Sequence, residues 1–175
     1  MGKDSTSNYL YILGIIGSIM IVVNSIIHLA ISLEVTLLNR FLFAGGYILV
    51  GLAFIALYRD FDNYIPLLVT ILWILMSFQP WVVLFALGNP NLVSMSMYLI
   101  LFLLMGYCIY LFREPIGSFA TLVGIIVLIW ALVQFGIRYI VLMGGLDTLL
   151  QQIWLALWGV VFFFVLIYFY FALRS

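Results

Sequence analysis

From Asn63 to Phe112 the chain runs for fifty residues without a charged side chain, bounded by Asp62 and Arg113 and interrupted only by the turn-like Asn89-Pro90-Asn91. A bilayer's hydrocarbon core is about 30 Å thick and takes about 20 apolar residues as helix. Fifty apolar residues with a turn in the middle therefore predict two spans, a hairpin through the membrane. The rest of the chain repeats the pattern. Hydrophobic residues make up 68% and charged residues 7%, where a soluble domain carries about 25% charged. A soluble fold of this apolarity would have no surface left to face water.

Charges and breakers place six helices, at 9–33, 38–58, 64–87, 92–112, 116–142 and 148–173. Pro115 opens the fifth and Gly144-Gly145 closes it, the expected asymmetry of helix ends. Backbone polar groups in lipid must be satisfied within each segment, so every span must be helical. A β-barrel is excluded by the lack of alternating polar positions. The expected fold is all-α: one polytopic transmembrane domain over 1–175, built as three helical hairpins at 8–60, 63–113 and 115–174. The first apolar stretch is longer than a signal-peptide core and lacks a small-x-small cleavage site, so it reads as a retained helix. Met1-Gly2 ahead of Ser5 and Thr6 resembles a myristoylation motif, which reads as chance in a six-span chain.

Six spans put both termini on one side, with Lys3, Arg59, Arg113 and Arg174; the other side holds Arg40 and Arg138. The positive-inside bias then predicts cytoplasmic termini, in the plasma membrane of a prokaryote. Net charge is zero, so no basic field draws nucleic acid.

Internal repetition is the second constraint. Asn24, Gln79 and Gln134 recur at steps of 55, as do Gly51 and Gly106; Thr36-Leu37-Leu38-Asn39 returns as Thr148-Leu149-Leu150-Gln151. Three parallel hairpins would arrange around a threefold axis normal to the membrane. The odd-numbered helices would then surround that axis, each presenting one carboxamide at one level.

The chemistry available inside the membrane is limited. Charged residues there mark function, and the mid-membrane region has none, which disfavours ion-coupled transport. His28 is the only histidine and Cys108 the only cysteine. A bis-histidine haem, a His-rich metal site and a nucleophile–base pair cannot be built from one chain, so no enzyme, metal or cofactor is expected. Cys108 reads as a small apolar packing residue. His28 reads either as a pore-lining, pH-sensing group or as an imidazole hydrogen-bonded near the helix end. The three carboxamides offer donors and acceptors to a neutral polar solute, or serve as interhelical glue. Trp73 and Trp130 lie deep, where slots between flat rings would suit a planar amide, or where they simply pack. Tyr9, Tyr11, Tyr58, Tyr64, Tyr168 and Tyr170 fall near the interfaces, as in aromatic belts.

Asn24 followed by Gly45-Gly46, the run Leu67-Leu68 through Gln79, and Gln134 together resemble the urea/amide channel family (AmiS/UreI type) over most of the chain. In that family hairpin termini lie outside, and the acid-gating histidines of one branch have no counterparts in the Arg59–Asn63 and Arg113–Pro115 loops. Ala44-Gly45-Gly46-Tyr47-Ile48-Leu49-Val50-Gly51, with Arg59, Arg113 and Arg174 closing the hairpins, is similar to the HdeD-type acid-resistance membrane proteins. The first resemblance implies a passive channel for small uncharged polar solutes such as urea or short amides. Its pore would be lined by Asn24, Gln79, Gln134, His28, Trp73 and Trp130. The alternative is a non-catalytic protein: an accessory subunit of a larger membrane complex, such as a respiratory oxidase, or a stress-response protein. Expected partners are the bilayer, a small neutral solute, and further copies of the chain or other subunits.

Overall fold

The computed structural model describes residues 5–31, 37–86, 91–142 and 148–175. Six long helices carry the chain: α1 (Ser5–Ile31), α2 (Leu37–Phe61), α3 (Ile65–Ala86), α4 (Asn91–Leu111), α6 (Ser118–Leu142) and α7 (Thr148–Arg174). A single turn, α5 (Arg113–Ile116), sits between α4 and α6. No strand occurs among the described residues. The fifth predicted helix differs at its start. Pro115 lies in α5, and Gly117 breaks the chain at φ 110°, a left-handed conformation that favours glycine. At the α2–α3 turn, Asp62 takes a positive φ and Asn63 Oδ1 accepts from the Ile65 N–H at 3.0 Å. That bond satisfies one of the orphan donors of α3.

The helices close into a ring. Helix α1 packs on α2 and on α7, α2 on α3, and α4 on α6; α3–α4 and α6–α7 meet more loosely. Closest approaches are made by glycine. A Cβ on Gly17 would lie 2.7 Å from the Gly46 carbonyl oxygen, and one on Gly106 3.0 Å from the Gly124 carbonyl oxygen. Gly51 lies against Thr70 and Trp73, and the Thr70 hydroxyl donates to the Gly51 carbonyl at 2.8 Å. Small residues at helix contacts are what drives association in lipid, where apolar burial gives little. Within helices, the Ser18 and Ser25 hydroxyls donate to the carbonyls of Gly14 and Ile21, four residues back.

Among the described residues α1, α3 and α6 each pack mainly on their ring neighbours.

Outward faces are apolar. On α1 the exposed residues Ile12, Ile16, Ile19, Val23 and Ile26 form one stripe at helical spacing, and Leu68, Ile71, Leu75 and Phe78 form another on α3. A helix apolar all round is a core or membrane helix. Four helices are long and apolar enough to cross a membrane, within Ser5–Ile27, Phe41–Phe61, Ser118–Ile137 and Gln152–Arg174. Ile65–Phe78 and Met95–Leu111 are shorter apolar stretches. The protein is an all-helical membrane protein whose outer surface suits contact with lipid.

The charged side chains described, Arg59, Asp60, Asp62, Arg113, Glu114 and Arg174, follow from the antiparallel order to one end of the bundle. Arg113 lies over the Tyr110 ring and Arg174 over the Tyr170 ring, each 4.5 Å from the centroid. Tyr9 and Tyr64 are exposed at the same end, as a belt requires. Tyr11 and Tyr168 are not belt residues: both are fully buried. The Tyr11 hydroxyl donates to Asp60 Oδ2 at 2.8 Å, tying α1 to α2.

Candidate functional site

The middle of the ring is an aromatic cluster fed by five helices. Tyr47 of α2 meets Trp73 of α3 edge-on, with centroids 4.5 Å apart. Trp158 of α7 stacks on Phe162 at 5.3 Å and 4°. It also meets Phe102 of α4 at 5.3 Å and Trp130 of α6 at 5.8 Å, both edge-on. Separations of 4.5–7 Å are those of rings in contact, favourable beyond simple burial by about 0.5–1.5 kcal/mol per pair. On α3 the face away from Trp73 carries the exposed Leu68, Ile71, Leu75 and Phe78.

Several buried polar atoms have no hydrogen-bond partner among the described residues: Nε1 of Trp73, Trp130 and Trp158 in this cluster, and Oδ1 of Asn24 and Oε1 of Gln134 on α1 and α6. Unpaired groups of this kind are uncommon in folded proteins, and each costs about 1–3 kcal/mol. Asn24 is 5% exposed and Gln134 2%. At 1.5 Å per residue, Asn24 lies about 28 Å along α1 and Gln134 about 24 Å along α6 from the charged end. Trp158 lies at a similar height, about 24 Å up α7 by the same rise. Gln134 is one turn beyond Trp130, so the two share a face of α6. Asn24 adjoins Ser25, which faces Gly159 across the α1–α7 contact.

Of the residues expected from sequence, Trp73 and Trp130 lie in the aromatic cluster, and Asn24 and Gln134 are buried in α1 and α6. The side chains of His28 and Gln79 lie outside the described residues. Cys108 is buried and unpaired with any other cysteine, packed among apolar residues. Sequence reasoning missed Tyr47, Phe102 and Trp158 as a set. A signal was available: Tyr47 and Phe102 stand 55 apart, the spacing of the carboxamides, and Trp158 falls one residue past the next step.

The unpaired buried atoms are neutral, indole N–H donors within the cluster and carboxamide oxygens as acceptors, and no charged side chain occurs among the described residues of the cluster. No family, no curated protein and no solved structure matches this chain, so the two family resemblances rest on the quoted motifs alone.

Proposed function

We propose that this protein spans the membrane six times as three repeated hairpins and passes small uncharged polar solutes, of the class of urea and short amides. The observation that carries this reading is the set of buried, unpaired donors and acceptors on Asn24, Gln134, Trp73, Trp130 and Trp158. Such atoms are costly in lipid unless something satisfies them. A small planar amide has one carbonyl to accept from indole N–H groups and N–H groups to donate to carboxamide oxygens. An ion would find no counter-charge there. The repeat is supported by glycine placement: Gly51 and Gly106, 55 apart, each lie at the close approach of an even-numbered span to the next helix. Gln79, at the middle step, is the third expected carboxamide of this path, and His28 lies near the end of the first span. On the charge bias the termini face the cytoplasm of a prokaryotic plasma membrane, with assembly as a homo-oligomer or in a larger complex.

The test is light-scattering stopped-flow on proteoliposomes, with urea, acetamide and glycerol against protein-free vesicles. Faster urea or acetamide entry, lost in Asn24→Leu and Gln134→Leu, is the expected result. Entry no faster than through bare lipid overturns the reading.

A second reading is a non-catalytic accessory or stress-response membrane protein. One observation favours it: the rings at the centre are in contact, which makes the interior a core in its own right. Co-purification of a defined membrane complex, with no solute flux, is its expected signature.

A further inference from the structure

The glycine contacts divide the ring in two. Gly17 meets Gly46 between α1 and α2, Gly51 meets Thr70 and Trp73 between α2 and α3, and Gly159 meets Ser25 between α7 and α1. Gly106 meets Gly124 between α4 and α6. No described glycine makes such an approach between α3 and α4 or between α6 and α7, the two loose seams. Rings close those seams instead. Trp73 of α3 meets Phe102 of α4 at 5.6 Å, and Trp130 of α6 meets Trp158 of α7 at 5.8 Å. Nearer the charged end, Phe119 of α6 meets Phe171 of α7 at 5.3 Å. A ring can turn about its side-chain bonds, whereas backbone packed on backbone cannot give way. The course of the chain follows the same division. Its turns at the charged end, α2–α3 and α4–α5–α6, each stay within one group; it crosses between the groups after α3 and before α7, at the opposite end.

Tyr168 adds an independent observation. It is fully buried on α7, and its hydroxyl has no partner among the described residues. It lies close enough to Cys108 of α4 to interact with it electrostatically across the division. An enclosed hydroxyl with nothing to bond is costly, and water that reaches it removes the cost. The packed form therefore carries a penalty that parting at this height relieves. We infer that α4, α5 and α6 form a movable body that tilts away from α7, α1, α2 and α3 at the charged end and opens the interior to water there, a rigid-body gate. The inference stands on packing and goes beyond the solute reading, since it holds whether or not a solute passes. The open form is the minority, so a thiol at the division such as Cys108 stays closed to brief labelling.

The test is the distance between paired spin labels at the charged end, read by double electron–electron resonance on full-length protein in lipid nanodiscs. Cys108→Ala leaves only the introduced thiols. Tyr64→Cys with Glu114→Cys spans the division, and Tyr9→Cys with Tyr64→Cys lies within one body; all three positions are exposed. A tilt of about 10° along the ~32 Å of α4 moves its charged end by about 5 Å. The spanning pair should therefore show a second, longer population and the internal pair a single one. Tyr168→Phe removes the unpaired hydroxyl, and the longer population should fall by about fivefold. A spanning pair as narrow as the internal pair overturns the inference. So does a longer population that Tyr168→Phe leaves undiminished.

Discussion

Replacing Gly17 by alanine tests whether the α1–α2 contact is the close backbone approach it is argued to be. The added Cβ would lie 2.7 Å from the Gly46 carbonyl oxygen, 2.7 Å from Leu49 Cβ and 2.9 Å from the Val50 amide nitrogen. Two of those three atoms are backbone and cannot rotate away. Ordinary contact begins at 3.4 Å, so the helices must part by about 0.7 Å, an overpacking that costs about 1–3 kcal/mol. Alanine returns about 1 kcal/mol of helix propensity, leaving a net loss of about 0–2 kcal/mol. Gly136 of α6 provides the reference, because a Cβ there meets nothing within 4 Å. Gly136→Ala carries the same propensity gain with no contact, so the two variants should differ by about 1–3 kcal/mol. Gly46→Ala should fall between them: its only backbone contact within 4 Å among the atoms given, the Gly17 carbonyl oxygen, lies at 3.0 Å, where Gly17 meets backbone at 2.7 and 2.9 Å, and its nearest atom is Ile21 Cγ1 at 2.7 Å. Reversible unfolding in mixed micelles with rising SDS gives all three on one scale. Equal stability of Gly17→Ala and Gly136→Ala would refute the reasoning.

Two further outcomes follow from single side chains. Tyr11→Phe removes the hydroxyl that donates to Asp60 Oδ2 at 2.8 Å. Asp60 is only partly buried and recovers water, so the loss should be about 1 kcal/mol, read in the same SDS titration; no loss would mean the bond contributes nothing. Cys108 has no exposed surface, so maleimide should label it only after SDS unfolding, and rapid labelling of the folded protein would contradict its burial.

The helices were legible in the sequence because lipid imposes a simple rule. Apolar stretches, the charges Arg59-Asp60 and Arg113-Glu114, and the turn at Asp62-Asn63 mark where helices begin and end, and the observed ends fall within a few residues of them. What the sequence hid is which face of each helix turns inward. In a soluble bundle polarity marks the outside; here the exposed Ile12–Ile16–Ile19 stripe is as apolar as the buried face. Tyr11 and Tyr168 were misplaced for that reason, since height along a helix is readable and direction around it is not. Asn24 and Gln134 were legible as buried because polar groups avoid lipid. Trp158 was not, because an indole is at home at an interface, in a core or beside a ligand.

The sign of one stability change separates a packing role from a site role for the carboxamides. Gln134 is 2% exposed, with an acceptor that has no partner among the described residues. If it were interhelical glue, Gln134→Leu would lose a bond worth about 0.6 kcal/mol on average in membranes. If it is held unpaired for a passing solute, leucine of similar bulk removes an unsatisfied acceptor, and the fold should gain about 1–2 kcal/mol. Acetamide flux should fall in the same variant. Sites that break a local rule of stability are where function is expected. A variant that is more stable and less permeable therefore satisfies the solute reading on two independent scales. A variant that is less stable shows that the oxygen has a partner in the folded bundle, and the argument from unpaired atoms then loses Gln134.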